Sequence, residues 1–202
     1  MIFRRLSIRP TYLARIIATK VLPLAGRIER RNKRKLGLAI KAPKRRAIRT
    51  QAVKTVLRRE GKKLHFHIFP NHDKRLKKTL GQWLFDLVWW DDRPGRKGVA
   101  LAVESEWNAG KNDILDDFEK LLCIKSPLKL MIYRVRGQNT GQVRESIKEY
   151  LLGYRQHVHG ENYILCEFQR DWSCACYLFR AKRVKNGRIT DLKFRTLFKA
   201  KC

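Results

Sequence analysis

An α/β fold, with a mixed β-sheet core flanked by helices and a basic arm at the N-terminus, is predicted by three observations. Strand-like runs alternate with helix-like segments from about residue 50 onward, two strand–helix–strand passages follow, and the composition changes near Thr50. A strand that runs through a helix into the next strand ordinarily makes a parallel crossover, so the sheet is expected to be mixed. The 202 residues are 44% hydrophobic and include five tryptophans, enough for one core and too much for wholesale disorder. The expected division is a basic arm over residues 1–49 and a globular domain over 50–202.

From Met1 to Lys63 the acidic residues are Glu29 and Glu60, set among runs such as RIERRNKRK (27–35) and KAPKRR (41–46). Pro10, Pro23, Gly26, Gly37 and Pro43 interrupt long helices, so short basic helices or disorder are expected there until nucleic acid is present. A solvated charge run is the plainer alternative. The segment after Thr50 carries Val53, Val56 and Leu57 at helical spacing, with Gly61 as the expected stop.

LHFHIFP (64–70) and GQWLFDLVWW (81–90) read as strands around a polar turn that contains Asp73, and DDRPGRKG (91–98) reads as a hairpin loop into VALAVESEW (99–107). DILDDFEKLLCIK (113–125) sets Ile114, Phe118, Leu121 and Leu122 on one helical face, with Asp113, Asp117 and Lys120 beside it. LKLMIYRV (128–135) is a nearly apolar strand, expected to be buried, and Thr140 to His157 reads as a helix. The strands NYILCEFQR and WSCACYLFRAKR follow around a turn at Asp171, and a last hairpin partner comes after Asn186-Gly187.

Forty-seven Lys and Arg against 18 Asp and Glu give a formal net charge of +29 and a pI near 10.6. Such a chain seeks polyanions, nucleic acid first, with an anionic membrane surface or a ribosome as competitors. Five cysteines (123, 166, 174, 176, 202) without a CxxC pair suggest free thiols in a reducing compartment. Cys174 and Cys176 share one strand face and are read as core residues, with no zinc assigned. His65-x-His67 and His157-x-His159 are read as packing or phosphate-facing pairs. No apolar run reaches a membrane-spanning length and the start lacks a secretory core, so a cytoplasmic protein is expected. The Arg-rich, acid-free stretch from Met1 to Ala25 also has the character of an organelle transit peptide.

The chemistry rests on carboxylates. Asp86 is expected mid-strand among Trp83, Phe85, Trp89 and Trp90, where an unpaired charge is costly to bury. Glu104 and Glu106 stand two apart on the next strand and project from one face. If the two strands pair, the three converge, and carboxylates about 4 Å apart repel by roughly 4 kcal/mol at an effective dielectric near 20. A divalent cation relieves that repulsion, and oxygen-only ligands suit Mg²⁺ or Mn²⁺, the arrangement required for phosphodiester hydrolysis.

With FDLVWW, LAVESEWN, DILDDFEKLL and LKLMIY in order, the chain resembles the PD-(D/E)xK nuclease superfamily over about residues 50–135. The resemblance implies a restriction-endonuclease-like core that acts as a Mg²⁺- or Mn²⁺-dependent endonuclease on DNA. It carries metal binding onto Asp86 and Glu104, and a supporting role onto Glu60 of the preceding helix. Phe85 stands where the superfamily has proline, and Glu106 where it has lysine. Some relatives move that lysine to the following helix, which implies Lys120, with Asp117 beside it; others keep a glutamate, which implies a direct role for Glu106 as ligand or base. The rival expectations are a non-catalytic nucleic-acid-binding protein on such a scaffold and a ribosome-associated basic protein; monomer and dimer both stay open.

Overall fold

The computed structural model describes residues 8–36, 41–69, 71–72, 79–80, 84–137 and 139–200. Two helices, α1 (Pro10–Leu36) and α2 (Ala42–Lys63), precede β1 (His67–Phe69), β2 (Asn71–His72), β3 (Thr79–Leu80), β4 (Leu87–Asp91) and β5 (Gly98–Glu106). Then come α3 (Lys111–Cys123), β6 (Leu128–Arg134), α4 (Asn139–Gly153), β7 (Asn162–Phe168), β8 (Cys174–Lys185) and β9 (Arg188–Ala200). The strands β1-β4-β5-β6-β7-β8-β9 form a seven-stranded sheet in that order, and β2 pairs with β3. The β5–β6 and β6–β7 pairs are parallel, crossed by α3 and α4, and the other pairs are antiparallel. This is the mixed α/β architecture that the strand–helix–strand passages require.

Period-2 alternation divides the central strands between two cores. On one face Leu101, Val103, Leu130, Ile132, Ile164 and Cys166 pack beneath α1 and α2. On the other, Ala102, Met131, Tyr133, Tyr163 and Leu165 pack with Ile114, Phe118 and Leu121 of α3 and with Val143 and Ile147 of α4. The β8–β9 hairpin turns at Asn186 (φ 50°) and Gly187 (φ 74°), the paired positive dihedrals that an Asn-Gly turn supplies.

The expectation of short helices or disorder up to residue 49 is corrected for residues 10–36 and 42–49. α1 runs for 27 residues with Pro23 inside it. Leu13, Ala14, Ile17 and Val21 are fully buried in the same core as the sheet. Each large one contributes about 1.5–3 kcal/mol on burial, which together offsets the roughly 3 kcal/mol that an interior proline costs. Only the outer flank, with Arg27, Arg30, Arg31 and Arg34 exposed, keeps the character of a charged arm.

Gly61 is not the helix stop. α2 continues to Lys63, and a Cβ on Gly61 would overlap Ile68 Cδ1 and lie 2.7 Å from Trp89 Nε1, so the glycine lets the helix approach β1 and β4. Asp86 is not mid-strand either: β4 begins at Leu87, and Asp86 is the residue just before it. Trp83 and Asp73 lie outside the described residues.

His157 is buried. Its ring nitrogens lie 2.7 Å from the Leu151 carbonyl and 3.3 Å from Glu161, within a network that also holds Tyr163 and the fully buried Lys129. Cys166, Cys174 and Cys176 are buried, free thiols. Asp171 is a turn residue that accepts hydrogen bonds from the Ser173 amide and hydroxyl.

Gly61→Ala is expected to lower unfolding stability by about 1–3 kcal/mol through overpacking, against a helical gain of up to about 1 kcal/mol. Urea denaturation checks this, and a more stable variant would mean that the helix–sheet approach does not need glycine.

Candidate active site

The antiparallel pairing of β4 with β5 puts Leu87 opposite Val103, so Asp86 arrives beside Glu104 just beyond the last pair. Glu104 projects to the α3 face, where Asp117 and Lys120 stand on the helix that crosses over β5. Two of the expected residues thus meet from neighbouring strands, and a third reaches them from the following helix.

Glu104 is 4% exposed, and its Oε1 is buried with no hydrogen-bond partner. Burial first, then the negative charges of Asp86 and Asp117, push its carboxyl up to about 8. Lys120 and the Asp86 backbone amide oppose that shift without cancelling it. Left to itself near neutrality, this group holds a proton or draws a cation.

Asp86 is oriented on both oxygens. Oδ2 accepts hydrogen bonds from the Ser105 amide at 3.0 Å and its hydroxyl at 2.6 Å, and Oδ1 lies 3.0 Å from Lys54 Nζ. The Ser105 hydroxyl also reaches Thr50, one turn before Lys54 on α2. Neither Lys54 nor Ser105 stands out in the sequence. The available signal was the helical spacing of Thr50 and Lys54, which puts both on one flank of α2.

Lys120 Nζ lies 2.6 Å from Asp117 Oδ1, and the fields of Asp117, Glu104 and Asp86 all help to raise its pKa. It therefore faces the carboxylates rather than open solvent alone. Glu106 shares the Glu104 face, is half-buried, accepts the Asn108 amide hydrogen bond and is raised chiefly by burial.

Glu60 is not brought to this site. Its buried carboxylate accepts from Tyr12 at 2.7 Å and pairs with Lys20 and Lys63 at 3.4 and 3.2 Å, tying α1 to α2. Six residues along α2 from Lys54, it serves the packing of the two helices.

Among the described residues, no three His, Cys, Asp or Glu side chains are grouped to hold a metal ion. The donor set nevertheless fits a hard cation that takes one or two carboxylates and keeps its own waters, because Glu104 has a buried, unpartnered oxygen beside Asp86. The chain matches no protein-family model, no curated protein and no solved structure.

That geometry has a pH consequence. Glu104 keeps a proton in the folded protein that the unfolded chain releases near its ordinary 4.5, so its contribution to stability is fully present below 4.5 and is lost as pH rises toward 8. In EDTA, Glu104→Gln is expected to match wild type in thermal stability near pH 5 and to exceed it at pH 8. Adding Mg²⁺ at pH 8 should raise the wild-type midpoint and leave that of Glu104→Gln unmoved. An equal pH response in the two proteins would show that Glu104 is not the strained group.

Proposed function

We propose that this protein is a divalent-metal-dependent endonuclease that hydrolyses phosphodiester bonds in DNA on a restriction-endonuclease-like core. The observation that carries this reading is the buried Glu104 carboxyl, raised to about 8, beside an oriented Asp86 and within the field of Lys120. A carboxyl desolvated beside other carboxylates lowers stability, and function is the ordinary reason for such a placement. The order β4–β5–α3–β6 and the net charge of +29 support the same reading.

Asp86 and Glu104 would hold Mg²⁺ or Mn²⁺, which supplies charge compensation at the phosphate and a more acidic water. The chain's own groups do the rest. Ser105 aims the Asp86 carboxylate, and Lys54 neutralises it until the substrate arrives. Lys120, held by Asp117, brings an ammonium against the negative charge that develops on the phosphoryl oxygens. Glu106, raised by burial, takes the proton of the attacking water as the bond from phosphorus to the leaving oxygen breaks.

Binding without cleavage is the rival reading, and Lys54 is the observation that favours it. An ammonium 3.0 Å from Asp86 does part of what a cation would do there. Incubation with plasmid DNA in Mg²⁺, Mn²⁺ or EDTA separates the two. Cleavage should need the metal, and Asp86→Asn or Glu104→Gln should abolish it while DNA binding survives. Wild-type activity in either variant would remove the assignment.

Single-turnover rates divide the roles on α3. Lys120→Ala is expected to slow cleavage at least about a hundredfold at unchanged DNA affinity, whereas Lys125→Ala, past the end of the helix, changes little. If Lys120→Ala cuts normally and Glu106→Gln does not, the lysine role is wrong and the glutamates carry the chemistry.

A further inference from the structure

A second cluster gathers at the C-terminal ends of β5, β6 and β7, on the α2 side of the sheet and one residue along β5 from Glu106. The Arg49 guanidinium of α2 lies 4.4 Å from the Trp172 ring centre and 6.0 Å from that of Trp107. Arg134, the last residue of β6, lies 4.2 Å from Trp172. Trp107 packs in turn on Phe168, the last residue of β7, with ring centres 5.4 Å apart.

Positive charge predominates here. Burial and the fields of Arg134, Arg45 and Arg136 lower Arg49 against the opposing charge of Glu29, while burial and the fields of Arg136 and Arg170 lower Arg134. Glu29 meets Arg49 only at 3.9 Å. Nε of Arg134 and of Arg45 are buried without a hydrogen-bond partner. Guanidiniums brought together with N–H groups unused are suited to an anion that offers several oxygens at once, and phosphate is that anion.

The backbone points the same way. The β7–β8 hairpin turns through Arg170, Asp171 and Trp172. The Trp172 amide donates to the Gln169 carbonyl at 3.1 Å, and the Gln169 amide donates to the Ser173 carbonyl at 2.9 Å. Trp172 itself has φ 68°. A three-residue hairpin loop ordinarily has glycine at that left-handed position, and a residue with a Cβ costs about 1–2 kcal/mol there. The turn thus holds an indole at a position whose backbone favours glycine, packed on the edge of the core with Arg49 and Arg134 against its ring.

We propose that Arg49 and Arg134, positioned by Trp172, form a docking site for the sugar-phosphate backbone of nucleic acid beside the carboxylates. This rests on the nucleic-acid reading above but does not require cleavage. The Arg49 side chain is 12% exposed and Trp107 is buried, so the cluster is recessed. A phosphate projecting from a strand enters such a recess more readily than the headgroup plane of a membrane.

The test is binding of a short fluorescein-labelled DNA duplex, in EDTA, by anisotropy across about 50–200 mM salt. Arg49→Gln with Arg134→Gln should weaken binding about tenfold or more, with the slope of log K against log salt falling by about 0.9 for each phosphate no longer neutralised. Arg27→Gln with Arg30→Gln, on the outer flank of α1, should change both far less. Trp172→Gly, which suits the turn but removes an indole from the edge of the core, should weaken binding, and Trp172→Phe, which keeps a ring there, should restore it. In wild-type protein, duplex should protect Arg49 and Arg134 from an arginine-directed reagent mapped by mass spectrometry.

Equal losses of affinity in the two double variants would reduce the effect to bulk charge and overturn the site, as would unprotected Arg49 and Arg134. Unchanged duplex binding, with Arg49- and Arg134-dependent binding to phosphatidylglycerol vesicles, would replace nucleic acid by a membrane. Weakened binding in these variants when the wild type cleaves nothing would leave the docking site standing and remove the nuclease reading instead. Normal binding in a protein that cleaves would do the reverse.

Discussion

Glu104 is carried out of water by its position on a central strand, under a helix that packs through Ile114, Phe118 and Leu121. That single burial sets the conditions for its surroundings. Asp86 adds charge from the neighbouring strand end, Asp117 adds more from the helix, and Lys120 and Lys54 answer them. The same group could not be so perturbed on a solvated strand face, because water would screen the field and hydrate the free oxygen. The parallel β5–α3–β6 crossover is what makes the covering helix available.

The N-terminal third shows how packing overrides composition. α1 carries eight Lys and Arg against one Glu, yet Leu13, Ala14, Ile17 and Val21 recur along one flank and are wholly buried. Its inner side completes the core above β7, β8 and β9, and α2 fills the rest of that face. The joint between the two helices is the buried Glu60 with Tyr12, Lys20 and Lys63. A buried charge of this kind persists because its oxygens are partnered, which the Glu104 Oε1 is not.

On the opposite flank of the strand ends, the electrostatic problem is inverted. Arginines repel one another around Trp172, held by a hairpin turn in a conformation that disfavours the residue occupying it. A buried carboxyl group raised by its acidic neighbours and a group of arginines lowered by burial and by one another thus adjoin at one rim of the sheet.

From the sequence alone, the local periodicities determined most of the elements from β5 onward, because alternation at period 2 and the stripe of α3 reflect burial residue by residue. The Glu104 and Glu106 face, the α3 position of Asp117 and Lys120, and the Asn186-Gly187 turn were legible for the same reason. α1 was not: prolines and arginines are local signals against a helix, and the gain that outweighs them comes from packing on strands more than a hundred residues later. Gly61 read as a stop because the approach of Trp89, on a strand well beyond the helix, leaves no local signal in the chain. Glu60 and Lys54 share α2, and only the docking of that helix decided that the lysine, not the glutamate, meets Asp86. The tertiary structure likewise alone assembled Arg49, Arg134 and Trp172, since a cluster made by three distant segments leaves no spacing to read.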